Sequence, residues 1–223
     1  MIDLPGYGNQ LAEGAVLTLE VAFTSLFFGL ILGLLGAAGK LSQHRWLREP
    51  VTWVTNLMRG VPEFVILLIC YFGISNFLTE MTDGNVDITP FWGGVFALSI
   101  VFGAYSSEAF RGAFLAVPEG QIEAGRAYGM RPRQIFFRVH LPQAWRLALP
   151  SLNNQWQNLL KDTSLVSVLG LEELLRKSTM AANETKQPFL YFLAAGAIYM
   201  LFLGISIPIF WYLEKRANRG VRS

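Results

Sequence analysis

The chain has 223 residues, 52% of them hydrophobic and only 15% charged, whereas soluble domains run near a quarter charged. A formal net charge of +2 is too small for the electrostatic footprint of a nucleic-acid binder. The single cysteine, Cys70, excludes an intrachain disulfide framework or a thiolate metal cluster.

In chain order, the N-terminal stretch carries Asp3 and Glu13 and no basic region, so no cleaved signal peptide is expected. A helix needs about 20 apolar residues to cross the hydrocarbon core. Residues 14–39 qualify, with Glu20 as the one acid, and contain Gly29-x-x-x-Gly33 plus Gly36, a spacing that lets helices approach closely. The run from Gly33 to Leu41 is not a phosphate-binding loop, because Leu34 stands where the first glycine must be and Leu41 replaces the Ser/Thr. Residues 51–78 form the second apolar segment, residues 88–112 the third and residues 188–213 the last. Between them, residues 147–171 contain Asn153, Asn154, Gln155, Gln157, Asn158, Lys161 and Asp162, and hydropathy alone would pass over them.

Charge topology decides the count. Lys40, Arg45 and Arg48 follow the first segment; Arg126, Arg131, Arg133, Arg138 and Arg146 follow the third; Lys215, Arg216, Arg219 and Arg222 form the tail. The loop with Glu80, Asp83 and Asp87 has no Lys or Arg, and the loop with Glu172, Glu173, Arg176, Lys177, Glu184 and Lys186 is mixed. Basic loops stay cytoplasmic. Five transmembrane helices, with the N-terminus outside and the C-terminus inside, put every strongly basic loop on one side, so the polar fourth segment is expected to cross. The fold class is therefore an all-α integral membrane protein, one transmembrane domain over residues 1–223. Amides in hydrocarbon are costly without partners, so Asn158 and its neighbours either line an aqueous path or join helices by hydrogen bonds.

Ionisable residues within membrane segments are functional candidates. Glu63 falls roughly 20 Å into the second segment, near the bilayer middle. Arg59 lies one turn earlier, so Glu63 either pairs with it or faces a substrate path at the break expected from Gly60 and Pro62. Asp162 is the second deep acid, and its neighbour Lys161 points to another side of the helix. Glu108 and Arg111 are spaced for a structural pair. An acid facing the path favours a cationic cargo, and a proton relay would use similar residues. The two histidines, His44 and His140, sit beside arginines in polar loops and read as solvated residues rather than metal ligands.

Residues 118–142 form the central arginine-flanked loop. Pro118-Glu119 suits a helix start, Ala124, Gly125 and Ala127 leave a flat face, and Gly129 suits the position just past a helix end. Pro132 starts a second short helix to about Arg138, which Leu141-Pro142 ends. Such an element docks on a soluble partner or lies on lipid headgroups.

The order Glu123-Ala124-Gly125, Gly129, then Val139-His140-Leu141-Pro142 resembles the cytoplasmic motif of importer-type ABC permeases, with Gly125 and Val139 as the departures. Arg59-Gly60-Val61-Pro62-Glu63, Ala104-Tyr105 through Gly112, Val117-Pro118-x-Gly120-Gln121 and Lys161-Asp162-Thr163-Ser164-Leu165-Val166-Ser167 are similar to the polar amino-acid subfamily. The acid after Arg-Gly-x-Pro resembles the histidine, lysine, arginine and ornithine systems and their opine relatives. The resemblance implies a permease subunit in the bacterial inner membrane, not itself an enzyme. It pairs with a second permease subunit, a sister chain or itself, and receives cargo from a periplasmic binding protein. A cytoplasmic ABC ATPase dimer binds ATP and Mg. Glu123, Ala124, Gly125, Gly129, Leu141 and Pro142 would form the ATPase-coupling segment. Glu63, Asp162, Arg59 and Asn158 are the substrate-path candidates. Other classes are an ATP-independent channel or proton-coupled carrier using Glu63 and Asp162, and a membrane-embedded enzyme, for which the segments hold no nucleophile–base pair or metal cluster.

Overall fold

The computed structural model describes residues 6–81 and 88–218. Asp3, Asp83, Asp87, Arg219 and Arg222, used above for topology, lie outside them. The described residues are helical throughout, with no strand among them. The helices are α1 (Gly8–Lys40), α2 (Arg45–Gly60), α3 (Glu63–Met81), α4 (Pro90–Leu115), α5 (Glu119–Ala127), α6 (Pro132–Ile135), α7 (Leu141–Asp162), α8 (Leu174–Thr185) and α9 (Pro188–Ala217). A π-helical turn, Phe136–His140, joins α6 to α7, and a 3₁₀ segment, Thr163–Leu169, extends α7. Four helices, α1, α3, α4 and α9, are long and apolar enough to cross a membrane.

α4 is the centre of the bundle. α1 runs parallel to it: the Ser99 hydroxyl reaches the Ser25 carbonyl at 3.3 Å, and Ser106 that of Gly29 at 3.5 Å. What selects the packed face of α1 is size, not hydropathy, since lipid is as apolar as leucine. Its buried positions include Gly14, Thr18, Ser25, Gly29, Gly33 and Ala37, while Phe23, Phe27 and Leu35 point outward. A Cβ at Gly33 would stand 2.1 Å from the Ser106 Oγ, and one at Gly29 2.7 Å from Phe102. Ser106 is fully buried and cannot swing away. Gly33→Val therefore forces α1 off α4, and overpacking of this kind costs about 1–3 kcal/mol. In detergent its melting midpoint falls by roughly 2–4 °C per kcal/mol lost, whereas Gly73→Ala in α3, where the added Cβ meets nothing within 4 Å, leaves it unchanged.

α3 and α7 run antiparallel to α4. In the first pairing Glu63 is level with Tyr105 and Tyr71 with Gly93; in the second Trp145 is level with Phe110 and Val166 with Gly94. α9 returns beside α7, where the buried Trp156 Nε1 donates to Ser206 Oγ at 3.0 Å. α8 lies at the end that also holds the N-terminus of α1.

Several expectations change. The segment 51–78 is two helices. Val61 is extended (φ −101°, ψ 139°), because the residue before a proline is pushed out of the helical region. Glu63 is thus the first residue of α3, and its depth is set by Tyr105 of α4, not by distance along α2. The fourth segment begins at Leu141, earlier than residue 147. Leu141-Pro142 opens α7 instead of ending α6: the π turn bonds Leu141 N–H to the Phe136 carbonyl and lets the chain carry Pro142 in a first helical turn, where its missing N–H costs little. The mixed loop after α7 contains a helix, α8. Glu173 caps it from a fully buried position, accepting from Arg176 N–H at 2.9 Å, Leu175 N–H at 3.0 Å and the Tyr199 hydroxyl at 3.1 Å. Tyr7 adds a hydrogen bond to Glu184.

Candidate functional site

One face of α7 carries the chemistry. Leu149, Leu152, Trp156, Leu159 and Leu160 are buried in the bundle. Ser151, Gln155, Asn158 and Asp162, spaced to share a stripe, lie beside this buried face, with Gln155 and Asp162 half-buried. The amides bond along their own helix: Gln155 Nε2 donates to Ser151 Oγ at 3.4 Å and Gln157 Nε2 to Asn153 Oδ1 at 3.3 Å. Among the described residues none of them bonds across to another helix.

Gln155, Asn158 and Asp162 meet Glu63 and Tyr105 around a cavity of about 130 Å³, floored by Leu98, Val101 and Phe102. The helix break explains how Glu63 arrives there. Its carboxylate starts α3, where unpaired N–H groups favour an anion, and accepts from the Tyr105 hydroxyl at 3.1 Å. Arg59 does not bridge to Glu63. Its guanidinium lies over the Tyr105 ring, 5.5 Å from the ring centre. Asp162 occupies the last turn of α7, an end whose carbonyls favour a cation. Among the described residues its carboxylate has no hydrogen-bond partner. Two acids, two amides and one phenol thus face a single small space, with Arg59 beside it. Tyr105 and Gln155 are additions to the sequence reading: Tyr105 stood within a quoted motif, but nothing local showed that it would bond to Glu63.

A second constellation lies at the basic end. α5 ends at Tyr128, and Gly129 takes φ +72°. Gly129 N–H bonds to the Arg126 carbonyl at 2.9 Å and Met130 N–H to that of Gly125 at 3.1 Å, the paired closure that a left-handed residue permits. Gly125 is not part of a flat outer face: it is buried, and a Cβ there would stand 3.2 Å from Ile135. That contact joins α5 to α6. Glu123, Ala124, Ala127 and Arg126 remain exposed, as does Tyr128 at 88%. His140 is half-buried rather than solvated, with Nε2 donating to the Phe114 carbonyl at 3.0 Å; this ties the start of α7 to the end of α4.

In a third group Glu108 and Arg111 form the pair that their spacing predicts, and Lys40, counted in the sequence with a basic loop, joins them. Lys40 is 5% exposed. Its ammonium donates to Ser107 Oγ at 3.0 Å and Glu108 at 2.7 Å, while Arg111 bonds the other Glu108 oxygen.

Long apolar helices around a small acidic cavity, with an arginine-flanked helix at one end, define a membrane transport component. The comparisons with known proteins agree. Residues 25–219 match the binding-protein-dependent transport system inner membrane component, and the chain belongs to that family. It is 40% identical over 223 residues to the histidine/lysine/arginine/ornithine transport system permease protein HisQ of Escherichia coli K12, covering 98% of each chain. It is 46% identical over 224 residues to the nopaline transport system permease protein NocQ of Agrobacterium fabrum, covering 98% of this chain and 95% of that one. A solved amino acid ABC transporter with histidines superposes with a TM-score of 0.83 at 30% identity, over 94% of this chain and 95% of that one.

Proposed function

We propose that this chain is the membrane-spanning permease subunit of an ATP-driven importer for basic amino acids, with opines as the alternative cargo. The observation that carries the cargo is the pair Glu63 and Asp162 on one cavity wall. Asp162 has its helix's carbonyl end behind it and no cation bonded to it, so an ammonium or guanidinium is the occupant that relieves it. Asn158, Gln155 and Tyr105 supply hydrogen bonds that orient such a group, and Arg59 at the edge suits the carboxylate of an amino acid. The names of the relatives, for histidine, lysine, arginine and ornithine in one case and nopaline in the other, fit that range.

The reading includes five crossings, N-terminus outside and C-terminus inside, in a bacterial inner membrane, with residues 1–223 as one domain. Support comes from α7, which runs alongside α4 from the level of Phe110 to that of Gly94 although it is too polar to be recognised by hydropathy. Further support is that Lys40, Arg126, Arg131 and Lys215 gather at one end of the bundle. A second permease subunit would close the open face of α7. α5 and its flanks, through Glu123, Ala124, Gly125, Gly129, Leu141 and Pro142, would seat on an ABC ATPase dimer that binds ATP and Mg. A periplasmic binding protein would deliver cargo at the opposite end.

The test is the reconstituted complex with its ATPase and binding protein, screened with arginine, histidine, lysine, octopine and glutamine. The basic compounds stimulate ATP hydrolysis about tenfold over glutamine, the ratio that about 1.4 kcal/mol of charge pairing yields. Equal stimulation by glutamine overturns the cargo assignment, and uptake into proteoliposomes holding this chain alone overturns the ATP-driven reading.

A further inference from the structure

α2 has no buried residue, yet its two faces differ sharply. Trp46, Pro50, Trp53 and Leu57 fall on one side, and Trp46 and Trp53 are 74% and 72% exposed. Arg48, Thr52, Asn56 and Arg59 fall on the other. Val51, packed against Gly39 of α1, and the half-buried Thr55 and Met58 face the bundle. Arg48, Thr52 and Asn56 flank them and, with Lys40, Glu108 and Arg111, line an open notch of about 300 Å³ between α1, α2 and α4. Outward tryptophans beside an exposed polar flank fit a helix held at the membrane–water interface, where tryptophan concentrates.

The notch has a charge excess. Three cations, Lys40, Arg48 and Arg111, face one carboxylate, Glu108, which the buried Lys40 and Arg111 already satisfy from both sides. Among the described residues the Arg48 guanidinium has one ion-pair partner, the exposed Glu49 at 3.4 Å, which Arg45 also approaches at 3.7 Å, and such an exposed pair holds weakly. Arg48, the remaining donors of Arg111 and the amide of Asn56 are therefore free to receive an anion.

We infer that this notch binds the headgroup of an anionic phospholipid of the cytoplasmic leaflet, its phosphate between Arg48, Arg111 and Asn56 and its acyl chains along the Trp53 side of α2. Basic pockets between membrane helices at the cytoplasmic surface suit such headgroups. A lipid is favoured over a free phosphate because the polar notch and the exposed apolar side of the same short helix match the two ends of one amphipathic molecule. The seat also ties α2 to α4 one turn below Tyr105, so the lipid steadies the break at Val61–Pro62 that presents Glu63.

The inference rests on the orientation proposed above, and its test separates the two. Native mass spectrometry is run on the purified permease–ATPase complex loaded with phosphatidylglycerol or phosphatidylcholine. The unaltered complex retains phosphatidylglycerol under activation that strips phosphatidylcholine. Arg48→Gln lowers that retention about fivefold, the effect of one basic group near an anionic headgroup, and Asn56→Leu lowers it further. Unchanged retention in both variants overturns the site. Displacement of the lipid by excess inorganic phosphate overturns the lipid in favour of a free anion. A photoreactive group at position 53 labels lipid; labelling of a sister permease chain instead overturns the lipid-facing side of α2. Separately, a Ser42→Cys, Cys70→Ser chain in cells reacts with an impermeant maleimide only after permeabilisation. Labelling of intact cells overturns the orientation whatever the lipid result.

Discussion

Gly129→Val abolishes the coupling of transport to ATP hydrolysis while the complex still assembles. Gly129 sits at φ +72°, and a Cβ there would meet nothing within 4 Å, so the effect is one of backbone conformation and not of crowding. A side chain in the left-handed region costs about 1–2 kcal/mol, and a β-branched one is the least tolerated there. Leaving that region breaks the bonds from Gly129 and Met130 back to Arg126 and Gly125. The chain then leaves α5 in another direction, and Tyr128 and the Gly125–Ile135 contact shift with it. Stimulation of the ATPase by loaded binding protein, and uptake with it, fall about tenfold or more, the factor that about 1.4 kcal/mol represents. Gly129→Asn restores part of both, since asparagine enters the left-handed region more readily. Normal transport by the valine variant would remove α5 from the coupling role.

Glu63→Gln and Asp162→Asn each cut uptake of arginine by about thirtyfold or more, as expected when one member of a desolvated charge pair is lost at about 2 kcal/mol or more. Basal ATP hydrolysis and assembly stay as they were. The two variants separate on stability. Glu63 is supported by the start of α3 and by Tyr105, so Glu63→Gln lowers the melting midpoint slightly. Asp162 faces the carbonyl end of α7 without a bonded partner, so Asp162→Asn removes an unfavourable interaction and the midpoint holds or rises. A group that weakens the fold and strengthens transport is the signature of a functional residue. Undiminished arginine uptake in both variants would return the two acids to structural roles and leave the cavity without a cargo.

Much was legible locally. The glycine at position 129 needs only its own neighbours to close α5, and Gly60-Val61-Pro62 predicts a break from the residues themselves. The motif spacings carried the family because they are properties of short stretches. Hydropathy located α1, α3, α4 and α9, which are long and apolar enough to be recognised without their neighbours. It could not say which face of α1 is packed, because in lipid that is decided by side-chain size, and Gly33 opposite Ser106 is visible only when α4 is in place. Lys40 looked like one more loop cation, since its partners Ser107 and Glu108 lie in another helix. Glu173 looked like one more loop acid, since Thr18 and Tyr199 come from opposite ends of the chain.

By itself, the sequence determined the membrane class and the family, because composition and motif spacing need no third dimension. Only the tertiary structure decided that Glu63, Asn158 and Asp162 share one cavity with Tyr105. Their meeting depends on α3 and α7 both running antiparallel to α4 in registers that bring a helix start and a helix end to the same level. Those registers are set by close contacts along the helices, Tyr71 against Gly93 and Val166 against Gly94, where a single methyl group would hold the helices apart.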